Sequence, residues 1–511
     1  MPSISTGIEF PQLSPLEICG LITAVLGLLY WRWRSNPLHS IPTVGPSLPI
    51  LSYYGAWRYL RDAKGMLLEG CSKYEIFKIP LSDQWLVVVG GPKMNDELRK
   101  YPDETMSALE AHKYVLQTEY TLGTTHPDAT AKKCIGGPLT RKLPQIMPEV
   151  VDEIAASFED IVGGSKDEWV TVPALEAMTD IIARVTNRAF VGLPFCRDKT
   201  LIKTVVGFAK DVMKTKTILN MIPNFLKPIV GHRLPWTSAA RRRMAAILGA
   251  TVNERRRQMI EYGTEYEGKT DDYLTWVIEE DLKFRGKGDS IDGVMEVISA
   301  SNFAAIHTSS MSMTHALYYL CAMPEYIEPL RKEAEEMIKV HGWTKAAVDG
   351  MWKADSFFKE ALRLNPAAHL TLFRKAMKPI VFSNGTVIPT GTMVVATTTG
   401  THLSENLYED AAEFKPFRFS DVRSKGGDDA LRQQFHTSSP DYIPFGHGKH
   451  ACSGRWFAAA EVKAVMAYIL LNYDVKLQEG GARPANVYVG PSIIANPWAK
   501  LMFRKRKSAH A

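Results

Sequence analysis

The first strong pattern is an apolar run near the start of the chain. Ile18 to Trp31 is interrupted only by Thr23 and small residues. Counted from Leu13 to Trp33, the stretch has about the 20 residues a bilayer-spanning helix needs. Prolines then crowd the sequence, at Asn36-Pro37 and through Ile41-Pro42-Thr43-Val44-Gly45-Pro46-Ser47-Leu48-Pro49, which predicts a stiff, non-helical connector. Ile76-Phe77-Lys78-Ile79 and Trp85-Leu86-Val87-Val88-Val89 flank Ser82-Asp83 and predict a hairpin. From about Pro148 to Val340 the pattern is helical, in segments separated by Pro and Gly. Strand signals return at Ile380-Val381-Phe382, at Met393-Val394-Val395-Ala396 and after Tyr473. No fixed repeat is visible and no linker divides the chain. The pattern predicts a mainly α protein with small β-sheets: an anchor over residues 1–35, a hinge over 36–50 and a single body over 51–511.

No Lys or Arg precedes the apolar run, while Arg32 and Arg34 follow it. The positive-inside rule puts the short N-terminus outside and the body in the cytosol, with Trp31 and Trp33 at the interface. A cleaved signal peptide needs a basic start and a small-residue cleavage site, and both are missing. Pro15 and Glu17 are the residues least suited to an anchor.

Composition narrows the picture by exclusion. A net charge of +6 over 511 residues, with no basic stripe interleaved with aromatics, does not indicate nucleic-acid binding. The Arg504-Lys505-Arg506-Lys507 run reads as a solvated end. Cys19, Cys71, Cys134, Cys196, Cys321 and Cys452 are scattered without a CxxC pair. That excludes a zinc ribbon or a disulfide framework and fits a reducing compartment.

The segment richest in chemistry is Pro444-Phe445-Gly446-His447-Gly448-Lys449-His450-Ala451-Cys452-Ser453-Gly454-Arg455, ahead of a helical pattern from Trp456 to Leu471. A cysteine that ligates iron must be deprotonated, and its backbone must approach a flat cofactor closely. Gly446 and Gly448 allow positive-φ turns, and Gly454 lets the next helix pass near a planar ring. A helix start just after Cys452 favours the thiolate, and thiolate ligation favours O–O cleavage. Two blander readings compete. A lone cysteine is most often a small buried hydrophobe. Gly446, Gly448 and Ala451 also match a dinucleotide turn, but Ser438-Ser439-Pro440-Asp441 precedes it instead of a buried strand, and too little chain follows.

Two further constellations accompany it. Glu360 and Arg363 share one helical face, on a helix with an apolar stripe of Phe357, Ala361 and Leu364 that Asn365-Pro366 ends. Such a pair is ordinarily a surface pair worth little, and its weight comes from a third partner, Arg418 in Phe414-Lys415-Pro416-Phe417-Arg418-Phe419. On the helix from about Ser290 to Met323, Val294, Val297, Ile298, Ser301, Ala305 and Thr308 fall on one face. That face turns from bulky to small and ends in a hydroxyl, as a shallow groove beside a flat cofactor requires; close helix packing explains small residues as well.

In this order and at these separations, the three elements resemble a cytochrome P450 monooxygenase over nearly the whole chain. Phe445-x-x-Gly448-x-x-x-Cys452-x-Gly454 matches the family's haem-loop pattern at every fixed position. The resemblance implies the triangular-prism P450 fold behind an N-terminal transmembrane helix, and haem b (iron protoporphyrin IX) with Cys452 as axial ligand. It implies a buried charge triad of Glu360, Arg363 and Arg418, with His450, Arg374 and Arg141 facing the haem propionates. Ala304-Ala305-Ile306-His307-Thr308 is similar to the oxygen-activation motif, with Thr308 in the proton relay. His307 departs from the usual acidic residue, so its part in proton delivery stands open. This variant is similar to fungal secondary-metabolism members that oxidise diterpenoids, indole-terpenoids and steroids. Electrons would come from NADPH through a membrane-bound P450 reductase, with Lys449, Arg455 and Lys463 as a basic docking face. The implied activity is oxidation of a lipophilic small molecule, foremost a terpenoid, on the cytosolic face of the endoplasmic reticulum membrane. Its contacts would come from the Thr105–Tyr120, Ala300–Thr308, Ala368–Phe373 and Val489–Ala495 segments. The alternatives are a haem-thiolate isomerase or dehydratase, against which Thr308 speaks, a steroid, fatty acid or indole-type substrate, and a non-catalytic haem scaffold.

Overall fold

A computed structural model describes residues 14–123, 127–285, 290–427 and 430–507. The hairpin forms where alternation and turn residues place it. Strand β1 (Ile76–Pro80) pairs antiparallel with β2 (Trp85–Val89), Ile76 facing Val89 and Pro80 facing Trp85. Nearly every residue of both strands is buried, which is why the run is apolar on both faces. Strand β3 (Met106–Ser107), β5 (Leu370–Ala376) and β8 (Met393–Thr397) complete a five-stranded sheet in the order β1-β2-β8-β5-β3. The β5–β8 ladder slips between Thr371 and Arg374, where Leu372 takes a φ of 52°. That bulge re-aims the side chains that follow it. Strand β4 (Val170–Pro173), β9 (Tyr473–Leu477) and β12 (Lys500–Lys505) form a second sheet, ordered β4-β12-β9. Two short hairpins remain: β6 (Ile380–Val381) with β7 (Val387–Ile388), and β10 (Val487–Val489) with β11 (Ser492–Ile494).

The rest is mainly helical, as the periodicity predicts. A central helix, Asp292–Ala322, runs 31 residues, about 46 Å at 1.5 Å per residue. It packs against helices Ala174–Phe190, Lys199–Asn220, Trp352–Leu364 and Arg455–Asn472. Ile298, Ile306, Met313 and Leu317 are among its buried contributions to the principal core. Helix Trp352–Leu364 stops at Asn365, the residue that precedes a proline.

The N-terminal segment is helical where the anchor is expected. Residues Pro15–Arg34 form a helix started by a capping box, in which the Ser14 hydroxyl accepts from the Glu17 N–H and Glu17 reaches back to the Ser14 N–H. Leu16, Leu21 and Leu28 are exposed on it. Among the described residues no helix is long and apolar enough to cross a membrane. Glu17 and Arg32 bracket the uninterrupted apolar run Ile18–Trp31, which spans roughly 21 Å against a hydrocarbon core of about 30 Å. The first residues of the expected anchor, 1–13, lie outside the described residues.

The proline-rich connector is a strap rather than a free spacer. Lys78 N–H donates to Pro42 O at 2.8 Å, and Val44 N–H donates to Lys78 O at 3.0 Å. The Lys78 ammonium is 4% exposed and donates to the carbonyls of Leu38 and of Ile41, the latter at 2.7 Å. Burial pushes its pKa down to about 8.

Candidate active site

The cysteine loop owes its shape to backbone bonds that only a glycine-rich sequence can make. Gly446 and Gly448 take φ of 68° and 75°, where a side chain is strained. Gly446 N–H donates to Ile443 O, Ala451 N–H to Gly448 O, and Cys452 N–H to Phe445 O at 2.7 Å. A Cβ on Gly454 would sit 3.9 Å from the Cys452 sulfur, and helix Arg455–Asn472 begins at the next residue. Arg455 donates to Cys452 O at 2.7 Å and stacks over Trp456.

Cys452 is exposed, but to an interior cavity of about 990 Å³. Burial pushes its thiol pKa up, against the lowering effects of the Gly454 and Arg455 N–H groups and the Arg455 charge. The helix start thus acts in the expected direction, and burial opposes it. A cation bound at the sulfur would favour its deprotonated form. Ala304, Ala305 and Thr308 of the central helix line the same cavity, together with Leu370, Phe373 and Ile493. All four segments expected to meet substrate contribute lining residues.

Arg374 tests whether a haem fits. It lines the cavity at 2% exposure, Nη1 donates to Phe373 O, and Nε and Nη2 have no partner. Orphaned donors on a buried guanidinium are rare and suit a carboxylate. The residues thus fit an iron macrocycle carrying acidic side groups, since one cavity is lined by a thiol, by small residues and by a cation with unpartnered donors. His450 lines the same cavity, with Nε2 2.7 Å from Asp103. Lys132 lines it too, a residue that gave no sequence signal because a lysine on a short amphipathic helix reads as solvated. Arg141 is not brought to this cavity. It lines a separate recess with Lys133, Lys142 and Asp271.

Thr308 lines the cavity and donates to Ala304 O at 2.7 Å, its hydroxyl folded back on its own helix. His307 faces elsewhere. Its Nε2 donates to Val206 O at 3.1 Å, which ties the central helix to helix Lys199–Asn220, and burial pushes its pKa down.

The structure brings the charge triad together. Arg363 binds Glu360 in bidentate fashion, Nε to Oε2 at 2.7 Å and Nη2 to Oε1 at 2.8 Å, with both side chains fully buried. It also donates to the carbonyls of His402, Ala411 and Glu413. Arg418 adds a bond of 3.2 Å from Nε to Glu360 Oε1. Lys463, expected on a basic surface, is instead buried at 4% exposure and paired with Asp355 at 2.7 Å. Lys449 is exposed and bonded to Asp103.

Glu461 escaped the sequence reading. It is fully buried, accepts from the Thr186 hydroxyl at 2.7 Å, and leaves Oε2 unpartnered. Burial pushes its pKa up to about 7, against the hydroxyls of Thr186 and Ser309. The folded state keeps this proton after the unfolded chain has lost it. The stabilising neutral form is thus fully present below about pH 4.5 and lost as pH rises toward 7. Glu461→Gln is therefore expected to match the wild type in urea unfolding at pH 4, and to be more stable by about 3 kcal/mol at pH 8. An equal difference at both pH values would contradict this.

The comparisons agree with the geometry. The family model described as Cytochrome P450 matches residues 72–497. Cytochrome P450 monooxygenase 151 of Postia placenta is 46% identical, covering 95% of this chain and 97% of its own. Cytochrome P450 monooxygenase CYP512U6 of Ganoderma lucidum is 33% identical, covering 95% of each chain. Ent-kaurene oxidase P450-4 of Gibberella fujikuroi is 29% identical, covering 96% of this chain and 98% of its own. The solved retinoic-acid-bound cyanobacterial CYP120A1 superposes with a TM-score of 0.67 at 19% identity, covering 91% of this chain and 99% of that one, and shares the fold. The chain belongs to the cytochrome P450 family. Its class of enzyme is the monooxygenase, and haem iron is the cofactor the family implies.

Proposed function

We propose that this enzyme inserts one atom of dioxygen into a lipophilic small molecule, a terpenoid foremost, with electrons from NADPH delivered by a flavoprotein reductase. The observation that carries the reading is one cavity lined by Cys452, by Thr308 and by Arg374 with its unpartnered donors. Cys452 would ligate haem, with Phe445, Gly448 and Gly454 shaping the approach, and Arg374 and His450 would hold its carboxylates. Haem bound in this way supplies dioxygen activation. Thr308 would turn its hydroxyl from Ala304 O toward the cavity and pass a proton inward. His307, bonded to Val206, serves this step only if it swings away. Glu360, Arg363 and Arg418 would hold the proximal side rigid.

The name of the ent-kaurene oxidase relative and the apolar lining of Leu370, Phe373 and Ile493 support a terpenoid. Membrane association at the endoplasmic reticulum is part of the same proposal. It is supported by exposed Leu21 and Leu28 on the N-terminal helix and by exposed Tyr53, Tyr54 and Trp57 on the body. We place the functional division at 1–35, 36–50 and 51–511, with the middle segment acting as the strap that sets the helix against the body.

The test is product analysis after expression with a P450 reductase and a panel of terpenoid scaffolds. The expected product gains one oxygen and requires NADPH. An isomeric product formed without NADPH would support the isomerase reading instead. Thr308→Ala is expected to keep NADPH consumption while product formation falls roughly 10²-fold, the low end of what a positioned proton donor contributes. An unchanged yield per NADPH would remove Thr308 from the relay.

A further inference from the structure

Beyond Thr308 the cavity follows the same helix face to Ser312 and His315, one and two turns further on, and meets Leu362 and Asn365. His315 is 2% exposed, and its Nδ1 accepts from Arg483 Nη2 at 2.8 Å. A neutral imidazole that accepts at Nδ1 carries its hydrogen on Nε2, and His315 Nε2 has no partner. Burial and the Arg483 charge push the pKa of His315 down to about 3, which keeps the ring neutral. The surroundings fix this orientation. Arg483 Nη2 also contacts Asn365 Oδ1 at 3.1 Å and Asn486 Oδ1 at 2.9 Å, and its guanidinium lies 4.4 Å over Tyr319. Asn486 Nδ2 donates to Asn365 Oδ1 at 2.7 Å, and Asn365 Nδ2 donates to the Tyr319 hydroxyl at 3.1 Å.

This network is costly to bury, and it ends in a buried donor that satisfies nothing in the protein. Among the described residues no carboxylate pairs with Arg483, so the potential behind the His315 N–H is positive. We propose that His315, oriented by Arg483, forms a polar subsite at this end of the cavity that binds an oxygen acceptor, carboxylate or carbonyl, on the lipophilic substrate. His315 makes the contact and Arg483 is a positioning residue. The subsite selects substrates that already carry an oxygen function, which places an earlier oxidation or acyl-forming reaction upstream. The proposal rests on the haem-monooxygenase reading of the same cavity.

The test uses the haem-loaded full chain and three probes of one length: dodecanoic acid, dodecan-2-one and dodecane. Binding is read from the Soret shift. The wild type is expected to bind at least one oxygenated probe about tenfold more tightly than the alkane, the scale of one hydrogen bond in a buried site. The acid and ketone arms tell which acceptor is preferred. His315→Phe is expected to abolish that preference, read as the ratio of oxygenated-probe to alkane affinity, while His315→Gln, which keeps an N–H, restores part of it. Equal affinities in the wild type, or a preference that survives in His315→Phe, would overturn the proposal. The wild-type comparison decides even where His315→Phe takes up no haem. Each protein is first checked for the carbon-monoxide spectrum of thiolate-ligated haem. Loss of that spectrum in the wild type defeats the site reading, whereas an intact spectrum without probe preference defeats the subsite alone.

Discussion

Cys452→Ser is expected to abolish the thiolate signature of reduced, carbon-monoxide-treated protein and to lower product formation by roughly 10³-fold or more, a barrier increase of at least about 4 kcal/mol. Serine matches the size and position of the thiol but cannot supply a soft anionic sulfur at neutral pH. Its effect on folding is expected to be small. Cys452 opens onto the cavity and packs no core cluster, so apo-protein stability should stay within about 0.5 kcal/mol. The two readouts together matter. A variant that lost activity by unfolding would lose both, whereas one that kept the spectrum would place the iron ligand elsewhere.

The second large effect concerns Arg363. Arg363→Ala leaves the fully buried Glu360 carboxylate with Arg418 at 3.2 Å as its one charged partner beside the Lys415 N–H at 3.0 Å, and strips a donor from the carbonyls of buried His402 and Ala411 and of Glu413. Breaking a buried pair from one side costs about 3–5 kcal/mol, a large part of a typical domain's stability of roughly 5–15 kcal/mol. The variant is therefore expected to lose haem on purification and to unfold at distinctly lower urea. Arg418→Ala should cost less, about 1–2 kcal/mol, because its side chain keeps 14% exposure and makes a single longer bond to Glu360. Urea midpoints for the two variants check the ranking. Equal losses would mean that the triad acts as one unit and not as a tight pair with an auxiliary.

Features encoded by local spacing were legible in the sequence. The hairpin of Ile76–Val89 needs only alternation and a turn, the pairing of Glu360 with Arg363 only i,i+3 geometry, and the Cys452 loop only its glycines. Features decided by tertiary placement were not. Lys463 reads as a surface cation, but its helix is buried on nearly every face, so it had to meet Asp355. Glu461 on the same helix was invisible for the same reason. The two free donors of Arg374 lie just past a bulge whose positive φ at Leu372 no residue type announces. His307 matches a motif position, yet its direction is set by a carbonyl at Val206, 101 residues away. His315 and Arg483, 168 residues apart, belong to no common pattern until the fold joins them. Arg141 sits at a plausible spacing, and the chain carries it to a different recess. At the N-terminus, the span from Leu13 to Trp33 takes in Glu17 and Arg32, which bracket its uninterrupted apolar run.

The central claim is that Cys452 holds haem iron through its sulfur. Its most direct test is the carbon-monoxide difference spectrum of the reduced wild-type protein, which needs neither substrate nor partner. A strongly red-shifted Soret band, absent in Cys452→Ser, is the result this account predicts. Haem bound without that shift, or the same band in Cys452→Ser, would contradict it.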